Sequence, residues 1–133
     1  MPVRTDVTRR VIRYRQNPVK LFEEVAVAFA GALVARDFSR ARQMLAPAVR
    51  AQLSERNLEE ALVNMYRRYA DSDPSRCQFV PEGSLETWPH KQPGDLGLAY
   101  VSIEGDDFNE AVYVLVSDVE GVPFVREISW GRP

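Results

Sequence analysis

His90 is the only histidine in the 133 residues, and it lies in the stretch WPHKQPG at residues 88–94. General acid–base catalysis by a histidine needs a carboxylate or carbonyl to fix its tautomer and orientation. A segment with two prolines and a glycine reads as a loop, and it names no such partner. His90 is therefore read as a solvated loop side chain. Cys77 is the only cysteine, which excludes an intrachain disulfide and a cysteine-based zinc site and leaves a buried thiol as its expected state. Proton abstraction next to a carbonyl needs a carboxylate base and a buried proton donor. Tyr66, Tyr69, Tyr100 and Tyr113 have the donor group. The acidic candidates Glu104, Asp106 and Asp107 cluster at a turn, where solvation is the default, and Asp37 is placed to cap a helix. Arg126 lies two residues from both Phe124 and Ile128 and four from Trp130, so a regular strand would put it on their apolar face. An arginine there needs a partner or a route for its head to water, and Glu110 on the neighbouring strand is the expected partner. The sequence contains no phosphate-binding loop, metal-ligand cluster or nucleophile elbow. No catalytic residue, metal or cofactor is assigned.

Composition sets the class of chain that must position these groups. Apolar residues make up 45% and charged residues 27%, a globular mix for one domain able to build an ordinary core. No apolar run is long enough to span a bilayer, and the first residues lack the apolar centre of a signal peptide. A cytoplasmic protein without membrane contact is the resulting expectation. The net charge of −2 hides an asymmetry: residues 1–20 carry +5, residues 21–80 are balanced, and residues 81–133 carry −7. Residues 1–17 form a basic arm and 18–133 the domain. Without a motif or an aromatic platform among its arginines, the arm does not read as a nucleic-acid binder. An arm lying against its own acidic half, or a partner's, fits the same charges.

Asn17-Pro18 reads as a helix start. Phe22, Val25, Ala26, Phe29 and Leu33 then form an apolar stripe. Ala28, Gly31, Ala32 and Ala35 form a second stripe of small residues, so this helix is expected to be buried on more than one side. Asp37 caps a short helix over about 38–46 in which Arg40 and Arg42 face water. Pro47 begins another turn, and Asn57 with Glu60 has capping-box spacing for a third helix over 58–70. From Arg76 the period changes. RCQFVPEGSLETW reads as a strand, or two short ones broken at Pro81 and Gly83; LGLAYVSIE, NEAVYVLVSDV and VPFVREISW are strands joined by tight turns at GDD and EG. The strand 111–116 is apolar at successive positions, which in an antiparallel sheet means that both faces are covered. The helices cover one face; a second copy of the chain or the arm is expected to cover the other.

The order of long helix, break at an Asp-Phe pair, short helix, third helix and antiparallel meander resembles the nuclear-transport-factor-2-like (cystatin-like) superfamily. The likeness is carried by AFAGALVARDFSRARQMLAP (28–47), YVSIEGDDFNEAVYVLVSD (100–118) and FVREISWG (124–131), and spans residues 18–131. It implies a cone-shaped α+β fold: three N-terminal helices packed on a curved antiparallel sheet, the long helix closing over its concave face. The superfamily includes isomerases, dehydratases, polyketide cyclases, epoxide hydrolases, transport adaptors and immunity proteins, and fold alone does not choose among them. Its enzymes place carboxylates, histidine, tyrosine or arginine inside the cone. By that resemblance, Phe29, Tyr66, Tyr69, Trp88, Tyr113, Arg126 and Trp130 are the candidates to line a pocket. The leading expectation is a non-catalytic binding or protein-interaction domain, immunity-protein-like or otherwise, forming a homodimer through the outer sheet face. The alternative is a cofactor-independent enzyme or carrier of a small apolar ligand. A sealed cone without two convergent titratable groups favours the first; an open cavity holding a polar pair favours the second.

Overall fold

The computed structural model describes residues 18–68 and 70–131. The basic arm 1–17 and Tyr69, one of the pocket candidates, lie outside the described residues. Among the described residues four helical segments, rather than three, precede the sheet: α1 (Pro18–Val34), α2 (Phe38–Gln43), α3 (Pro47–Arg50) and α4 (Glu55–Tyr66). The strands β1 (Arg76–Phe79), β2 (Asp95–Glu104), β3 (Asn109–Val119) and β4 (Val122–Trp130) form one antiparallel meander in that order, so β3 is interior. A 3₁₀ turn at Pro81–Gly83 breaks the chain after β1, and Leu85 then makes an isolated bridge to Leu98. The architecture is α+β, with the helical layer on one face of an open, curved sheet. No described helix is long and apolar enough to cross a membrane.

Local chemistry sets the helix limits. α1 buries Phe22, Ala26, Phe29, Ala30 and Leu33, at spacings of three and four. It ends where Arg36 takes a left-handed conformation with φ 61°, and the Asp37 N–H donates back to the Ala32 carbonyl at 2.8 Å. Asp37 then caps α2 as expected, accepting from the Arg40 N–H at 3.2 Å. Two expectations need correction. The capping box of α4 begins at Ser54, not Asn57: the Ser54 hydroxyl accepts from the Asn57 N–H at 3.0 Å, and the Asn57 side chain accepts from the Ser54 N–H at 2.9 Å. Arg42 does not face water; its guanidinium donates to the carbonyls of Leu53 and Arg50 at 2.8 and 2.9 Å, closing the turns between α2 and α4.

The small residues of α1 divide between two roles. Ala26 and Ala30 are fully buried within the core, whereas Ala35 is exposed and Gly31 has open space where a side chain would stand. Helix and sheet approach closely where Phe22 packs against Gly97. A methyl group on Gly97 would lie 2.4–2.5 Å from the Phe22 ring. Phe22 also meets Phe79 edge to face, at 6.3 Å between centroids, so one aromatic ring fixes α1 against β1 and β2 together. Replacing Gly97 by Ala is expected to cost about 2 kcal/mol through overpacking. Trimming the ring in the Phe22→Leu, Gly97→Ala double variant is expected to give less than the additive loss, as urea unfolding curves would show.

Candidate functional site

The two faces of the sheet differ in what they can offer a ligand. On the helix side, Val101, Ile103, Val112, Val114, Val116 and Val125 are wholly buried. Phe29 and Tyr66 belong to the same core, each 0% exposed, so neither presents surface to a ligand. Tyr66 stacks on Phe108 at 4.8 Å and donates to the Asp73 carboxylate at 2.8 Å, a structural use of its hydroxyl. Trp130 packs against this core from β4, opposite Val112. Phe29 and Tyr66 are thus core residues and Trp130 a partly buried one packed on the same core, all three separated by the sheet from Trp88 and Tyr113.

Trp88 and Tyr113 share a groove on the other face. It has a volume of 540 Å³ and is bounded by Leu85, Trp88 and His90 from the segment after the 3₁₀ turn and by Leu98, Tyr113, Leu115, Glu127 and Ser129 from the sheet. The segment between β1 and β2 therefore lies over this face, a covering element that the sequence did not suggest. Leu115 is only 3% exposed, but Leu85 is 45% exposed, the only large hydrophobic side chain exposed to that degree among the described residues. Tyr100 meets Tyr113 edge to face at 5.0 Å between centroids, and Lys91 lies 5.8 Å from the centre of the Trp88 ring. His90 and Glu127 are both exposed and both line the groove.

Arg126 does not pair with Glu110. The guanidinium donates in bidentate fashion to Asp95, Nε to Oδ1 at 2.9 Å and the terminal nitrogen to Oδ2 at 2.8 Å. The reason is a β-bulge. Leu115 pairs with Glu127 while Val116 pairs with Val125, leaving Arg126 as the extra residue. Beyond the bulge the faces exchange: Ile128 and Trp130 oppose Val114 and Val112 on the helix side, whereas Glu127 and Ser129 oppose Leu115 and Tyr113 in the groove. Glu110 lies at the start of β3 opposite Ile103, on the helix side. A second irregularity, between Asp95 and Gly97, sets Asp95 opposite Ser117.

The Asp95 carboxylate is completely buried and also accepts from the Gln92 N–H at 2.9 Å. Burial pushes its pKa up, but the hydrogen bonds from Arg126, Gln92 and Ser117 and the guanidinium charge outweigh it and hold the group below the usual carboxylate value. Among the turn carboxylates, Asp107 is not merely solvated. It accepts from the Asp71 N–H at 2.9 Å and from the N–H and hydroxyl of Ser72, tying the β2–β3 turn to the chain that follows α4. Cys77 is half-buried, and burial followed by the nearby Glu104 charge raises its pKa, the opposite of an activated thiolate. Among the described residues no group of histidine, cysteine and carboxylate side chains is placed to hold a metal ion.

The class these features define is an α+β domain with a packed helix-facing core and an open groove on the outer sheet face. Comparison with family models, with curated proteins and with solved structures finds no match to this chain. The resemblance to the nuclear-transport-factor-2-like superfamily thus stands on sequence pattern and element order.

Arg126→Met would leave a buried carboxylate without its main counter-charge and is expected to cost about 3 kcal/mol at neutral pH. The folded-state pKa of Asp95 lies below the unfolded one. Its stabilising contribution is therefore complete above the unfolded value of about 4 and is lost as pH falls through the folded value. The stability difference between the wild type and Asp95→Asn, measured by urea unfolding, should accordingly shrink from pH 7 to pH 3.

Proposed function

We propose that this is a non-catalytic protein-interaction domain of nuclear-transport-factor-2-like type that uses the groove on its outer sheet face, with a second copy of the chain as its first partner. The observation that carries this reading is Leu85, 45% exposed on the wall of a groove with an aromatic and aliphatic lining. Apolar surface gathered around one groove is the usual mark of an interaction site. A two-fold pairing would bring the same patch against itself and needs no other gene product. An immunity-protein-like role, in which the acidic second half blocks a partner protein, belongs to the same reading. Sedimentation of the full chain at tens of micromolar should give a dimer, and Leu85→Asp, at a position whose exposure spares the core, should weaken it at least tenfold, roughly the cost of burying one unpaired polar group. A chain that remains monomeric at several hundred micromolar would remove the second copy as partner.

A second reading is favoured by one observation, the presence of His90 and Glu127 together in the lining of the same groove. Together with Tyr113 they would suit a small aromatic or cationic ligand, in an enzyme or a carrier. A ligand that quenches Trp88 fluorescence, with affinity reduced by Glu127→Gln and by Tyr113→Ala, would support it. Dimer formation that blocks every such ligand would count against it.

A further inference from the structure

A second groove shares Leu85 with the first, and the chain's own N-terminal segment suits it. This groove has a volume of 490 Å³ and runs between the first turns of α1 and the segment after β1. Its apolar lining is Phe22, Phe79, Pro81 and Leu85; Glu23 and Glu86 supply the charge. Glu82 is exposed on the adjoining 3₁₀ turn. Among the described residues Glu23, Glu82 and Glu86 have no ion-pair partner. Lys91 is close by, but its ammonium donates to the backbone carbonyl of Glu86 at 2.7 Å, not to the carboxylate.

We infer that residues 1–17 of the chain turn back along α1 and occupy this groove. The first argument is where the segment ends. It joins α1 at Pro18, and the groove residues Phe22 and Glu23 lie only about one helical turn (~6 Å) further on. Seventeen residues reach about 55 Å when extended, so residues 9–17 alone are long enough to follow the groove. The second argument is charge: residues 1–17 carry five arginines against one aspartate, and the carboxylates of the groove have no ion-pair partner among the described residues. The third is pattern. Val11, Ile12 and Tyr14 are interspersed among Arg9, Arg10, Arg13 and Arg15, giving apolar side chains for the lining and guanidinium groups for Glu23 and Glu86. Leu85 lines both grooves, but Phe22, Glu23, Phe79, Pro81 and Glu86 belong to this one and not to the groove on the outer face, so the inference does not rest on the dimer reading.

The test is photo-cross-linking from the arm of the full-length chain carrying Tyr14→benzoylphenylalanine, mixed with isotope-labelled chains so that links within and between chains differ in mass. The expected product is a link within one chain to residues 22–26 or 79–87. Its yield should fall about fivefold in Glu23→Lys, Glu86→Lys, the size expected for losing two partly exposed ion pairs, and recover when Arg13→Glu and Arg15→Glu are added. If the reversed-charge variant does not fold, salt gives the same reading on the otherwise unchanged chain: the yield should fall several-fold as ionic strength rises from about 0.05 to about 0.5 M. Links between chains assign the groove to a second copy's arm. Links to another surface, or a yield indifferent to both charge reversal and salt, place the arm elsewhere. Either result overturns the inference.

Discussion

The outer face of this domain is organised by one bidentate ion pair. Asp95 begins β2 and Arg126 sits on β4, with β3 between them, so the pair spans three strands at the level where both outer strands are irregular. An isolated carboxylate at complete burial would be expelled or protonated; two guanidinium donors and the Gln92 amide make it tolerable. The Gln92 bond also anchors the end of the segment carrying Trp88 and His90, and thereby helps set the groove wall. The bulge at Arg126 is required by the same arrangement. It turns the arginine toward Asp95 and returns Ile128 and Trp130 to the core.

The helix face follows a different logic, in which shape complementarity replaces charge. Phe22 against Gly97 sets the height of α1 above the sheet, and the fully buried alanines at 26 and 30 continue that close approach along the helix. The result is a core in which Phe29 and Tyr66 are spent on packing. Among the described residues, the two grooves lie outside this packed core, one on the outer sheet face and one beside the first turns of α1, and Leu85 lines both.

The order and type of the elements could be read from the sequence because each is written locally. The stripe of α1, the Asp37 cap, the period change at Arg76 and the Glu120-Gly121 turn, with both residues at positive φ, all act within a few neighbouring positions. The doubly apolar strand 111–116 correctly indicated an interior strand, since Val112, Val114 and Val116 are buried on one face and Ala111 and Leu115 on the other. What could not be read depends on register. A single inserted residue at Arg126 reverses the face of everything after it, and nothing in VPFVREISW marks the insertion. The Arg126 partner, the grouping of Trp88 with Tyr113 and the separation of both from Trp130 follow from that one residue. The use of the 81–92 segment as a cover was hidden for another reason: its only strand-like contact is the single bridge of Leu85 to Leu98.

The link between α2 and α3 also settles where the sheet can grow. Leu45 lies parallel to Val125, with the Val125 N–H donating to the Met44 carbonyl and the Ala46 N–H to the Val125 carbonyl at 2.8 and 2.7 Å. The middle of β4 thus spends its outward backbone groups on the protein's own chain, a form of protection against edge-to-edge polymerisation. At the opposite margin stands β1, only four residues long and followed at once by a proline-led turn. An incoming strand would find a short landing there and an interrupted one at β4, so neither margin favours growth by extension of the sheet.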